Sequence, residues 1–263
     1  MKKVLFQFAV LLGVLIFVWF ILSRINYTEK VDFQKLSKSN EEKIGKIIYE
    51  FIKKKDKEIE SDSLKSILIK IRDRICNNNQ INCSEIKIHV LNNTQINAFA
   101  LPDRHMVIYT GLIEYCKTPE ELSGVIAHEI AHMENNHIMK RISRKIGFAI
   151  LISMAGGDTS NEILKEIVNS ITSTAFDRAE ETEADSYAVR YLAKANIDPE
   201  HFANFLFRLS QEEHTLLDKL EWISTHPNTK DRTTEVLKLK NREDFEIKPI
   251  VDHEKWEAIK KNI

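Results

Sequence analysis

The stretch His128-Glu129-Ile130-Ala131-His132 constrains this chain more than any other. On an α-helix, residues four apart lie about 40° from each other around the axis, so both imidazoles face the same way. Glu129 stands roughly 100° round from His128 and flanks the same point. Two imidazoles one turn apart with a carboxylate beside them form the arrangement in which a zinc hydrolase holds its metal and its base. The flanking residues favour such a helix. Thr118 reads as N-cap, Pro119 as the first helical residue, where a missing N–H is harmless, and Glu121 as the third, closing a capping box. Leu122, Val125, Ile126 and Ile130 give an apolar stripe at helical spacing, and the small Ser123, Gly124, Ala127 and Ala131 let neighbouring elements approach closely. The competing reading is a buried helix with two incidental histidines.

A catalytic zinc site takes three protein ligands and keeps one position open. Arg178 to Asp185 supplies candidates for the third, on a second helix expected from about Asn161 to Ala195. Glu181 and Asp185 are four apart and share a face, whereas Glu180 and Glu183 point elsewhere. Glu181 is the expected ligand, and Asp185 the carboxylate that orients a ligand imidazole through its other N–H. The alternative for this segment is an ordinary solvated acidic face. His137 lies nine positions after His128, about half a turn round, and cannot join the site without a break in the helix. Structural roles are expected for it and for His89, His105, His201, His214 and His253.

Taken with further motifs, the chain resembles the zinc metallopeptidase family that includes the CAAX prenyl endopeptidase, HtpX, and periplasmic proteases of the BepA and LoiP type. The matching residues are Asn97-Ala98-Phe99-Ala100-Leu101-Pro102, Thr110-Gly111-Leu112, His128 to His132, Glu181 to Asp185, His226-Pro227 and Arg232, in order over roughly residues 65 to 240. The resemblance implies a gluzincin endopeptidase with one zinc ion per chain held by His128, His132 and Glu181, and Glu129 as general base. It places His226 at a histidine that can approach the zinc, as a help to the transition state or as an inhibitory fourth ligand, and Arg232 at a basic residue near the site. Either would then stabilise the oxyanion. Ile86 to Leu91 and Met106 to Thr110 read as short strands. Between them, Asn97 to Leu101 is implied to form an edge near the zinc where an extended peptide adds as a strand, with Asn97 as a substrate-binding candidate and Phe99 as core or groove. Many relatives carry glycine where this chain has Asp103-Arg104-His105, and Ala188 stands where glycine often follows the second motif.

Val4 to Leu22 is a run of 19 uncharged residues, long enough to span about 30 Å of hydrocarbon. It lacks a small-x-small cleavage site and follows Lys2 and Lys3, so an uncleaved signal anchor with the catalytic domain outside the cytoplasm is expected. The expected organisation is an anchor over 1–22, a linker over 23–40, and over 41–263 a metallopeptidase domain with an N-terminal helical extension. That domain is expected to be α+β, mainly helical, with a small β-sheet. Helices are expected over Glu41 to Lys57 and Leu64 to Ile75. Ile146 to Ala155 is too short to span a bilayer and reads as a buried helix, an interfacial element or a cover over the site. Cys76 and Cys83 flank an Asn-rich loop that a disulfide could close, leaving Cys116 over. With 38 basic and 39 acidic residues there is no bias toward nucleic acid, and the partners expected are a polypeptide substrate and a membrane. Two other readings stand beside the protease: a catalytically silent or autoinhibited membrane-anchored chaperone or binding protein on the same fold, and a zinc hydrolase of non-peptide amides.

Overall fold

The computed structural model describes residues 38–263 apart from 158, 213–220, 228, 242 and 244, with a few isolated positions before 38. Most of the Val4–Leu22 anchor and of the 23–40 linker, and His214, lie outside the described residues. Among those described, no helix is long and apolar enough to cross a membrane. Backbone contacts separate Met1–Leu36 from Ser37–Ile263, and the latter unit is the one described below.

Helix α1 (Lys38–Lys53) starts inside the stretch expected as linker and buries Ile44, Ile48, Tyr49 and Ile52, one stripe of its surface. Helix α2 (Asp62–Asn79) repeats the pattern with Leu64, Ile67, Leu68, Ile71 and Ile75. It stops at Gln80, which takes a left-handed φ of 59° and returns its N–H to the Cys76 carbonyl. Three strands follow: β1 (Lys87–Leu91), β2 (Ala98–Leu101) and β3 (His105–Tyr109). Their order is β1-β3-β2, with β1 parallel to β3 and β2 antiparallel to it, so β2 is an edge. Every residue of β2 and β3 is buried. In the β2–β3 connection, Asp103 and Arg104 both adopt left-handed φ values, 58° and 57°, a conformation unusual for side chains of this size. Ion pairs from Asp103 to Lys87 and from Arg104 to Glu134 hold this turn.

After α3 (Thr110–Tyr115) comes α4 (Pro119–Glu134), buried along nearly its whole length. Thr118 caps it, accepting from Glu121 N–H at 3.2 Å. Glu121 does not close the box on Thr118; it accepts from Lys117 N–H at 2.7 Å and pairs with Arg208 at 2.8 Å. Helix α4 ends at Asn135 and Asn136, the latter left-handed with φ 56°, and α5 (His137–Ile146) sets off in a new direction. Gly147 (φ 83°) separates α5 from α6 (Phe148–Ala155), which packs on α1 and α5 with Leu151 and Met154 inward and Ile150 and Ile152 largely exposed. The helix expected over 161–195 is two helices, α7 (Asn161–Ser173) and α8 (Arg178–Lys194). Phe176 lies in the break, its N–H bonded to Thr225 O, and Glu180 reaches back to Asp177 N–H to restart the helix. Helices α9 (Glu200–Glu212), α10 (Glu221–Thr225), α11 (Thr229–Lys240) and α12 (His253–Lys260) complete the described elements. The architecture is thus mainly helical α+β with a small sheet. All three cysteines are free thiols, so the loop between Cys76 and Cys83 is not closed by a disulfide. Cys83 Sγ instead donates to Asn77 Oδ1 at 3.1 Å, and Cys76 is buried beneath α2.

Helix α4 packs against α8, α9, α2 and β2. The contact with α9 depends on Gly124, where a Cβ would stand 2.5 Å from the Cβ of Phe202. Neither atom can swing away, so Gly124→Ala should destabilise the domain by about 1–3 kcal/mol through overpacking. A melting temperature within a degree of wild type would contradict that packing.

Candidate metal centre

Helix α4 contributes His128, Glu129 and His132, and α8 contributes Glu181 and Asp185. The turn after α10 brings in His226, and α11 brings Arg232. Ligand atoms of His128, His132, Glu181 and His226 all lie within 4.8 Å of one another. His128 Nε2 is 3.0 Å from His132 Nε2 and 3.2 Å from His226 Nδ1. Glu181 Oε1 is 3.3 Å from His132 Nε2 and 2.9 Å from His226 Nδ1. A tetrahedron with bonds of roughly 2.0–2.1 Å has edges of about 3.3 Å, close to these separations. All four side chains are sealed from solvent, at 0 %, 0 %, 3 % and 1 % exposure.

Hydrogen-bond partners decide where the ring protons sit. Asp185 Oδ1, 3.0 Å from His128 Nδ1, can only accept, so that nitrogen carries the proton and Nε2 is bare. The same logic passes through two rings at His132. Glu183 Oε2 accepts from His137 Nε2 at 3.2 Å, which leaves His137 Nδ1 bare to accept from His132 Nδ1 at 2.9 Å. His132 Nε2 is therefore bare as well. Two ring lone pairs then face each other at 3.0 Å with a carboxylate oxygen beside them and no proton between the two nitrogens. The donor set asks for a cation, and the residues fit a metal ion. Burial, reinforced at His128 by Arg232, pushes the His128, His132 and His226 pKa values down to about 4, 3 and 4, so all three rings are neutral, as metal ligation requires.

Glu129 is fixed at one end by Ala100 N–H of β2, which donates to Oε2 at 3.0 Å. Its Oε1 lies 3.4 Å from His226 Nε2 but at an angle unsuited to a hydrogen bond. Burial, with the charge of Glu181 added, raises its pKa to about 8. Burial also opposes charge on Glu181, yet His226 and the Arg232 guanidinium outweigh it and hold that carboxyl well below its usual range. Arg232, expected from sequence beside the developing oxyanion, is otherwise engaged. Its Nε and Nη2 grip both oxygens of Asp185 at 2.8 and 2.7 Å, and Nη1 lies 2.6 Å from Glu181 Oε2 and donates to His226 O. It positions the carboxylates. Asn97 is buried at the start of β2, donates to Glu221 Oε2 at 3.4 Å, and is not part of the cluster. Phe176 stacks on His132 with ring centroids 4.0 Å apart, and Trp222 stacks on His226 at 4.5 Å.

Sequence spacing missed His137 because it presumed one continuous helix. The left-handed Asn136 is the break that brings His137 back onto His132, and Glu183, read as pointing away, meets it there. The consecutive asparagines, residue types that tolerate left-handed φ, were the available signal. His137→Ala should weaken metal affinity about 10- to 100-fold while leaving secondary structure intact. Competition with a chromogenic chelator measures it, and an unchanged affinity would assign His137 to packing alone.

The buried rings also set a pH dependence. His128, His132 and His226 take up protons less readily folded than unfolded, where the pKa is near 6.5. Between these values the unfolded chain binds more protons, so stability rises with pH. Glu129 acts in the opposite sense from 4.5 to about 8, because the folded protein keeps a proton that the unfolded chain has lost. Three groups outweigh one below pH 6.5. Metal-free protein should therefore lose stability as pH falls from 6.5 to 4.5; urea unfolding with chelator present tests this, and a flat profile would contradict neutral imidazoles.

Residues 64–240 match the sequence pattern of peptidase family M48. Over 152 residues the chain is 28% identical to mitochondrial metalloendopeptidase OMA1 of Schizosaccharomyces pombe, covering 57% of this chain and 45% of that protein. It is 30% identical over 157 residues to OMA1 of Arabidopsis thaliana, covering 56% and 30%. With the beta-barrel assembly-enhancing protease of Yersinia pestis it shares 28% over 151 residues, covering 53% and 31%. The matched region spans less than half the length of each of these relatives.

Proposed function

This chain belongs to peptidase family M48, and on that premise we propose that it is a membrane-anchored, zinc-dependent endopeptidase that cuts peptide bonds of misfolded or envelope proteins. The observation that carries the reading is the convergence of bare ring nitrogens of His128 and His132 with Glu181 beside a Glu129 carboxylate that β2 holds in place. The chemistry a single zinc ion supplies when bound is Lewis acidity, which polarises the scissile carbonyl and lets water lose a proton near neutral pH. Glu129, held at Oε2 and free at Oε1, accepts that proton and passes it to the leaving amine. Arg232 and Asp185 keep Glu181 charged and His128 in its productive tautomer. Edge strand β2, which Asn97 precedes, is the strand to which an extended peptide would add beside Glu129. The names of the relatives, a metalloendopeptidase and a protease, agree with this activity. The uncharged run Val4–Leu22 after Lys2 and Lys3 supports a single-pass anchor with the domain outside the cytoplasm.

His226 completes a four-residue set with no open position, a feature of structural rather than catalytic zinc sites. The same observation favours a second reading, a latent or catalytically silent binding protein on this fold. In the endopeptidase reading the described arrangement is a closed state, and His226 withdraws for turnover. Cleavage of casein by the full-length chain in detergent, with bound zinc quantified, separates the two. Glu129→Gln should keep one zinc per chain and lose activity by about 10²–10⁴-fold. His226→Ala should bind zinc more weakly and cut several-fold faster at saturating zinc. Zinc-loaded protein that cuts nothing in wild type or in the His226 variant would make the chain a binding protein.

A further inference from the structure

We propose that Arg141 is a substrate-binding residue whose Nη1 donates to the backbone carbonyl of the residue that follows the scissile bond, within an apolar subsite beside Glu129. The proposal rests on the endopeptidase reading above. Arg141 lies on α5 and is only 5 % exposed. Its Nε donates to Ser170 O at 2.8 Å and its Nη2 to Ile171 O at 2.6 Å, both at the end of α7. The guanidinium lies over the Phe176 ring, 4.0 Å from its centroid. These contacts hold the head group rigidly, yet Nη1 has no hydrogen-bond partner among the described residues. A charged donor taken out of water and left unmatched is costly, and such a group calls for a partner from a ligand or a water.

The place for that partner is present. Arg141 lines a cavity of about 10 Å³ with Phe99, Ala100, Glu129, Ile138, Ile171 and Phe176, roughly room for one oxygen-sized group. Glu129 Oε1, the other buried polar atom without a hydrogen bond there, faces the same problem with opposite polarity. Two residues with an unmatched buried atom, a donor on Arg141 and an acceptor on Glu129, thus line one small cavity with apolar side chains around it. Chemistry fixes which part of a peptide belongs in it. Glu129 must hand its proton to the leaving amine, so the amine lies within reach of Glu129. The next carbonyl along the chain belongs to the same residue as that amine, two bonds from its nitrogen. Nη1 matches this oxygen, and Ile138, Ile171 and Phe176 make its surroundings apolar. The device would fix the reacting bond over Glu129 by its neighbour, which is positioning by a rigid fork.

The test compares two fluorescent peptides spanning one cleavage site mapped in casein that the wild-type chain has digested. They differ only at the residue after the scissile bond, where one keeps its backbone C=O and the other has CH₂. Zinc-loaded, full-length Glu129→Gln protein binds without cutting, and fluorescence anisotropy gives both dissociation constants. It should prefer the carbonyl peptide by about tenfold or more. Adding Arg141→Lys, which keeps the charge but not the fork, or Arg141→Met should bring that ratio close to one while the CH₂ peptide still binds. A ratio retained in both Arg141 variants overturns the proposal, and so does loss of both peptides from both variants, which would make Arg141 a support for α7. Casein left intact by zinc-loaded wild type and by the His226→Ala variant removes the endopeptidase reading and this proposal together, whereas cleavage with an unchanged ratio removes only the role of Arg141.

Discussion

Lone pairs that repel one another are held together at the centre of this domain, and much of its packing can be understood as the frame that keeps them there. His128 and His132 present bare nitrogens 3.0 Å apart, with Glu181 alongside and water excluded. Around them three buried carboxylates, Glu129, Glu181 and Asp185, face two buried guanidiniums, Arg141 and Arg232. The cluster is short of positive charge, and Glu129, the carboxyl that no guanidinium bonds, has its pKa raised by burial and by the charge of Glu181. Such a site cannot form by local preference. It is imposed by α4 packing along α8, with α9 and α11 closing from outside.

Support for the cluster runs outward in two chains of different construction. On one side Arg232 clasps Asp185, which orients His128, and the same guanidinium reaches Glu181. On the other, Glu183 orients His137 and His137 orients His132, with Phe176 stacked against the ring. The first chain is strongly ionic and fully buried. The second is mostly neutral and ends at a half-exposed carboxylate, with the Glu183 side chain at 49 % exposure. Loss of the first would strand charge inside the protein, whereas loss of the second would chiefly free a ring to turn.

What the sequence disclosed were the features with a fixed period. Residues four apart on a helix placed His128 with His132 and Glu181 with Asp185, and apolar spacing located α1, α2 and α4. Features that depend on where a helix stops were not legible. A single helix over 161–195 satisfied the pattern, and the break that puts Phe176 beside His132 is visible only once Thr225 takes the Phe176 N–H. His137 was set aside by a correct rotation applied to a helix that does not continue. Arg232 was placed near the site, but its partners come from α8 and the turn before α11, and no spacing within one segment encodes them. The pairing of Glu129 with Ala100 N–H is of the same kind, a contact across 29 residues between a strand and a helix.

The junction at Asn135 and Asn136 couples the metal-site rings to the cavity beside Glu129. Helix α5 carries His137, which serves a metal-site ring, and Arg141, which lines the cavity beside Glu129, on one rigid rod. Their phase relative to α4 is set by the number of residues in that short connection. Losing or gaining one there would turn α5 by about 100° and carry both side chains off their targets together. This connection acts as a key cut to a single length, so one residue inserted or deleted here should disturb the metal-site ring and the cavity in a single stroke.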